Sequence, residues 1–355
     1  MSHQQLRATP GFTLVELMVG LAVGLFVALA AISIFVSTRT LQTVSSAESR
    51  MGENSRLAME LLRKDFRSAG FQGCNPRLEG PPVSLLTASS GLFLDGASSG
   101  LGGAHGDGTS SFTPALNATL AALPQPPLAT SDVVSMRVPV EPMSLGLAVP
   151  MTVSTGVPNV GANTPGNTIV QGDVLLISNC KAGAIFQVTA ASPSTTGLLT
   201  YVGGSNPGNA GSNFGSVFRG DAAVYRLQTH HYYIAASVQR PGTFSMWRYT
   251  YPNTGGSVNP QEEVVQGIDR MLVTYGIDNG TGNQTVSRYV SANSVTSWDS
   301  VVAVRIQLLS STVKDGVTLS TQSASFAGGT FTPSPPDKRL RTQVTEVVTL
   351  RSRAP

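Results

Sequence analysis

From Leu17 to Val36 the chain runs for twenty residues without a charge, and Ser33 is the one overtly polar side chain among them. At 1.5 Å per residue a helix of that length spans about 30 Å, the thickness of bilayer hydrocarbon. Core helices of soluble domains are shorter, so the run reads as a membrane span. Arg7 precedes it and Arg39 and Arg50 follow, so counting positive charges barely orients it. The downstream composition decides the matter. Between Gly80 and Phe218 only Asp95, Asp107, Asp132, Arg137, Glu141, Asp173 and Lys181 are charged, in a stretch rich in Ser, Thr, Asn and Gly. Such a body reads as exported, which places the N-terminus in the cytoplasm and the remainder beyond the inner membrane.

The same composition excludes several functions. Of 355 residues 12% are charged, about half the usual share, and 23 Lys and Arg against 20 Asp and Glu leave a formal charge of +3 spread along the chain. No nucleic-acid partner is expected from that balance. Four histidines and two cysteines leave little material for a zinc or iron–sulfur centre. The chain has no nucleophile elbow, no HExxH and no phosphate-binding glycine loop, so neither an enzyme nor a cofactor nor a metal is expected. His105 reads as part of a flexible loop. His230 and His231 adjoin in a strand and point to opposite faces, which denies them a shared metal. Arg219-Gly220-Asp221 spells an integrin-type tripeptide, but it stands just before an apolar strand and three-residue matches are common by chance. Asp278-Asn279-Gly280-Thr281-Gly282-Asn283 reads as an Asn-Gly hairpin turn, with calcium binding left open. Arg339, Arg341, Arg351 and Arg353 read as a solvated strand face.

Glu16 stands near the start of the apolar run, where an ionised carboxylate is costly unless paired. One reading is a helix-start carboxylate favoured by the helix dipole. The residues around it, Gly11-Phe12-Thr13-Leu14-Val15-Glu16, resemble the class III signal of type IV prepilins: Gly, an aromatic residue, then Glu at the fifth mature position. That resemblance implies cleavage by a prepilin peptidase between Gly11 and Phe12 and N-methylation of Phe12. The new ammonium would then be a partner for Glu16 of a neighbouring subunit in a packed filament, where low dielectric strengthens the pair. Removal of residues 1–11 takes Arg7 with it and leaves a formal charge of +2. An alternative is an ordinary secretory signal cut after Ala28-Leu29-Ala30, which discards Glu16. Gly20 and Gly24 form a GxxxG that permits close helix approach or is chance glycine in an apolar helix.

Past Val36 the pattern turns amphipathic. Leu41, Val44, Ala47, Met51, Ala58, Leu61 and Leu62 recur at spacings of three and four, with Arg50, Glu53, Arg56, Glu60, Arg63 and Lys64 between them. A single helix from Phe12 to about Arg67 is expected, or two helices kinked near Gly52. The expected division is a leader at 1–11, a hydrophobic helix at 12–37, an amphipathic second half at 38–70 and a β-rich head at 71–355. Strands are read at 132–138, 168–177, 184–189, 222–238, 243–251, 263–277, 300–311 and 341–350. Alternation in Val302–Leu308 predicts antiparallel sheet with one wet face. The stretch 77–130 lacks periodicity and reads as loops.

Several of these segments are similar to the PilW family of minor pilins: Ala69–Cys74, Gly172–Cys180 with Ala184–Thr189, Tyr232-Tyr233-Ile234, Val265–Asp278, Val301–Leu309, and Arg339 to Arg351. The similarity leaves gaps at 79–130 and 142–167. It implies an α+β, type IV pilin-like fold and a subunit that primes pilus assembly and lies at or near the pilus tip. Implied partners are other minor pilins, the major pilin, a prepilin peptidase and a tip adhesin. The implied location is the inner membrane before assembly and the pilus at the cell surface afterwards. In an exported head the even cysteine count points to a Cys74–Cys180 disulfide closing a loop of about 105 residues; two separate buried thiols are the alternative. Other readings of the whole chain are a J-type pseudopilin of a type II secretion system and a filament-displayed adhesin.

Overall fold

A computed structural model describes residues 11, 13–74, 78, 80–87, 92–94, 100–140, 144–205, 207–254, 260–278, 280 and 285–350. It divides into two compact units, one up to Arg50 and one from Met51 onward. Helix α1, Leu14–Ser68, runs for 55 residues without a break. The helical assignment continues through Gly52. From Leu14 to Leu41 the large apolar side chains of the helix are exposed, from 55% at Leu29 to 75% at Leu14 and Phe26. This part of α1 is long and apolar enough to cross a membrane. The helix stops where Gly70 (φ 72°) and Gly73 (φ 102°) take the left-handed backbone that glycine adopts without strain.

The second unit is β-rich, as its β-branched runs predict. The first sheet draws on β1 (Val83–Ser84), β2 (Leu101–Gly106), β3 (Phe112–Thr113), β4 (Val133–Pro139), β5 (Leu145–Gly146), β6 (Val174–Ser178), β7 (Gly183–Gln187), β8 (Ala223–Ala236), β9 (Phe244–Tyr251) and β10 (Gln261–Gln266). Its order is β1-β7-β6-β8-β4-β2-β3, with β5 and β9 also on β8 and β10 on β9. All pairings are antiparallel except the two-residue β1–β7 contact. The second sheet is formed by β11 (Ile268–Asp278), β12 (Val286–Ser291), β13 (Val301–Ser311) and β16 (Arg341–Thr349), in the order β12-β11-β13-β16. Between its last two strands, β14 (Ala324–Phe326) and β15 (Gly329–Phe331) make a hairpin.

The main core lies where both sheets meet the last turns of α1. Ala58, Met59, Leu62 and Phe66 pack with Val134, Tyr232 and Ile234 of the first sheet and Val273, Val304 and Ile306 of the second. A separate core of Leu175, Ile177, Phe186, Leu199, Phe214 and Phe218 supports β6 and β7.

Four expectations need correction. The run at 263–277 is two strands in two sheets: the chain turns at Gly267 (φ 73°), where an added Cβ would lie 2.6 Å from the Ser311 carbonyl. The stretch 77–130 holds β2, and His105 is on that strand rather than in a flexible loop. β2 carries glycines because side chains do not fit: a Cβ on Gly103 would lie 2.3 Å from the Tyr275 hydroxyl, and one on Gly106 2.2 Å from the Ala129 carbonyl. The outer face of β13 is only partly wet, since Tyr289 covers Arg305 at 3.8 Å and Leu309 is buried. Residues 168–173 form a turn rather than strand, with Val170 N–H on the Asp173 carboxylate at 2.9 Å.

Candidate assembly site

The first turn of α1 builds a capping box. Thr13 donates both its backbone N–H and its hydroxyl to Glu16 Oε2, each at 3.0 Å, while Glu16 N–H donates to Thr13 Oγ1 at 3.3 Å. This T-x-x-E spacing satisfies donors that the helix start leaves free. Both Thr13 bonds fall on Oε2, and among the described residues Oε1 of the exposed carboxylate has no partner. Gly11 is exposed; Phe12 and residues 1–10 lie outside the described residues. A Cβ at Gly20 or Gly24 would meet nothing within 4 Å, so neither glycine is demanded by packing inside this chain.

In the second unit, three fastenings hold the end of α1 to the sheets. Asp65, on the buried side of the helix, is 2.6 Å from His230 Nδ1 and accepts the Tyr232 hydroxyl at 2.8 Å. Burial, and next the Asp65 charge, push the Tyr232 phenol well above its ordinary pKa, so it stays a donor. Arg63 makes a two-pronged ion pair with Glu346 of β16, one prong at 2.7 Å. Just past the helix, Cys74 and Cys180 are joined in a disulfide with Cα atoms 5.2 Å apart. Cys180 occupies the β6–β7 turn at φ 67°. Beside it, Ser178 Oγ donates to the Gln72 carbonyl at 2.8 Å.

The remaining candidates separate. His230 and His231 do face opposite ways: His231 donates from Nε2 to the Leu92 carbonyl at 2.8 Å and accepts the Ser135 hydroxyl at 2.7 Å on Nδ1. The tautomer follows because a carbonyl only accepts. Burial pushes the His231 pKa down to about 4, so the ring is neutral. His105 Nδ1 lies 2.8 Å from Asp132, whose carboxylate also accepts Val273 N–H at 2.8 Å and so links β4 to β11. Burial raises the Asp132 pKa against those hydrogen bonds. Arg219-Gly220-Asp221 forms an exposed turn closed by Ala222 N–H on the Arg219 carbonyl at 3.0 Å.

The arginines of the last strand are not solvated. Arg341, with its side chain 3% exposed, binds Asp269 at 2.7 Å and Asp337 at 2.6 Å. Burial alone would raise the Asp337 pKa, but Arg341 holds it below the usual carboxylate range. Arg339 donates to the Gly242 carbonyl at 2.8 Å. Arg351 and Arg353 lie outside the described residues, as do 279 and 281–283 of the Asp278–Asn283 segment. Asp65 and the Thr13 cap escaped the sequence reading. The cap had a signal in the T-x-x-E spacing, whereas a lone Asp beside Phe66 looks like any surface carboxylate.

The family described as Type IV Pilus-assembly protein W matches residues 231–352, and the prokaryotic N-terminal methylation motif matches residues 6–32. No curated protein matches. Among solved structures, a type IV-like pilin from Thermus thermophilus aligns over 52% of this chain and 86% of its own, at 15% identity and a TM-score of 0.21. A methylation motif opening a long apolar helix, followed by a β-rich head, is a pilin-like arrangement. Over residues 231–352 the chain is similar to the PilW family of type IV pilus-assembly proteins, behind an N-terminal methylation motif at 6–32.

Proposed function

We propose that this chain is a minor pilin that primes pilus assembly and is incorporated at or near the pilus tip. Before assembly it is held in the inner membrane by the first part of α1, with its N-terminus in the cytoplasm and its head in the periplasm. The observation that carries the reading is the pairing of the methylation motif with Glu16 in the first helical turn. Prepilin peptidase cuts between Gly11 and Phe12, and Phe12 is N-methylated. The ammonium on Phe12 of one subunit then meets Glu16 of its neighbour. The capping box prepares for this contact: Thr13 holds Oε2 in place while no described residue bonds Oε1. In a packed helix bundle with little water, an ion pair of that kind fixes axial register. Other minor pilins and the major pilin are the partners, with a tip adhesin among them. The match of 231–352 to the PilW family supports a pilus over a secretion pseudopilus.

The test has two arms. Mass spectrometry of the mature chain should find methylated Phe12 at the N-terminus; Ala31 there sinks the reading. Glu16→Ala should lower the number of pili per cell while the head keeps its thermal midpoint. Unchanged piliation overturns the register role.

A further inference from the structure

Arg219, Gly220 and Asp221 stand on a turn that the head grips from both sides. Ala222 N–H donates to the Arg219 carbonyl at 3.0 Å, closing a four-residue turn just before β8. On one side Phe218 is fully buried, and its carbonyl accepts Met151 N–H at 2.8 Å. On the other Ala222 is 2% exposed, and the next residue, Ala223, pairs with Gly146 of β5 and Ser178 of β6. Phe218 and Ala222 both belong to the core that contains Phe186 and Phe214. The three residues between these anchors are exposed. The turn is therefore a fixed projection.

The fold of this chain does not account for the side chains that the turn presents. From Ala182 to Phe218 there is no charge, and Arg219 and Asp221 then bring one of each sign within three residues. Two Cα steps put their Cα atoms at most about 7.6 Å apart. Neither side chain has a partner among the described residues, whereas Arg63, Arg248 and Arg341 are each engaged by a carboxylate. Gly220 is not demanded either. Its backbone lies outside the left-handed region, and a Cβ there would meet nothing within 4 Å. At Gly103 and Gly267, by contrast, a Cβ would collide with the Tyr275 hydroxyl and the Ser311 carbonyl. A glycine that its own turn does not need, between two unpaired opposite charges, leaves room for another surface to come close.

We propose that this turn is an adhesion site for a receptor cleft of the integrin type, which meets Arg219 with a carboxylate and Asp221 with a divalent cation held by the receptor. The guanidinium offers two parallel N–H donors to a carboxylate, a pairing that lysine cannot make. The Asp221 carboxylate supplies an oxygen ligand to a hard cation, whose other positions the receptor fills. Gly220 lets the wall of the cleft reach the backbone between the two charges. Because Phe218 and Ala222 already hold the turn, docking orders little that was free before. These residues take no part in the priming role, so the adhesion site and that role stand or fall separately.

The full chain is immobilised in mild non-ionic detergent, and the purified ectodomain of an integrin that binds Arg-Gly-Asp peptides is passed over it with Mg²⁺. Binding should saturate, be displaced by a short linear Arg-Gly-Asp peptide, disappear in EDTA and return when Mg²⁺ is restored. Asp221→Glu keeps the charge on a stem one methylene longer, and Arg219→Lys keeps the charge without the fork. Each should weaken binding at least about tenfold, as should Gly220→Ala by blocking the close approach. All three positions are exposed, so the thermal midpoints should match the parent's. No saturable binding by the parent chain, or binding that persists in EDTA, overturns the proposal. So does parental affinity in both Asp221→Glu and Arg219→Lys, which would reduce the contact to unspecific charge attraction. Should a variant lose thermal stability, the peptide decides: parent binding that the peptide fails to displace overturns the proposal as well.

Discussion

Replacing both cysteines tests how the head is held together. The Cys74–Cys180 bond spans a sequence separation of 106, and the chain-entropy account of a loop that long gives about 5 kcal/mol of stabilisation. Both cysteines are exposed, so their replacement removes little buried surface and the loss should reflect the unfolded chain. Cys180 adds a second term. At φ 67° a non-glycine residue is strained by about 1 kcal/mol, which the crosslink now holds in place. Cys74→Ala with Cys180→Ala should therefore lose about 5 kcal/mol, and Cys74→Ala with Cys180→Gly about 4 kcal/mol. Either loss is a large share of a typical domain's stability. The assay is urea unfolding of the full chain in mild non-ionic detergent, followed by fluorescence of Trp247, which is 5% exposed, and Trp298. Reduction of the parent chain should reproduce the double-alanine curve. A double-alanine variant within about 1 kcal/mol of the parent refutes the loop-entropy reasoning, and equal curves for the Ala and Gly variants refute the strain term.

Two further perturbations probe the head. His231 is 1% exposed, and burial depresses its pKa to about 4 from the ordinary imidazole value of about 6.5, so the unfolded chain binds the extra proton over that window. The stability it contributes is complete above about pH 6.5 and is lost, to about 3 kcal/mol, as pH falls to 4. Stability measured from pH 7.5 to 4 should fall more steeply for the parent than for His231→Gln, and parallel profiles refute the assignment. Asp65→Ala leaves the fully buried Tyr232 hydroxyl and the His230 ring without their acceptor and should cost about 2–4 kcal/mol. Asp65→Asn keeps an acceptor and should cost about half as much by urea unfolding; equal losses refute the latch.

What the sequence made legible follows from the physics of each signal. The first half of α1 is visible because twenty uncharged residues admit few other fates, and its second half because apolar residues return every three to four positions. β8, β11, β13 and β16 announce themselves by β-branched and aromatic runs. β2 does not, because the close approach of Tyr275 and Ala129 forces glycine at the positions where alternating side chains would have signalled a strand. The division between β10 and β11 is hidden likewise, since one glycine carries the corner in an otherwise continuous apolar run. Arg341 misled for another reason. Its carboxylates, Asp269 and Asp337, are 72 and 4 residues away, and only the fold brings the distant one within reach.

Asp65, Arg63 and the disulfide share one consequence. Each ties the last turns of α1, or the segment just after it, to a different strand: Asp65 to β8, Arg63 to β16, Cys74 to the turn between β6 and β7. Gly70 N–H adds a fourth tie, to the Arg137 carbonyl of β4 at 3.2 Å. A helix resting on apolar contacts alone can slide, because hydrophobic contact is non-directional and a one-turn shift exchanges one set of apolar neighbours for another. Hydrogen bonds are directional and a disulfide is fixed in length, so a shift along the helix axis breaks the first and is resisted by the second. The placement of Met51–Ser68 on both sheets is therefore fixed before any partner arrives.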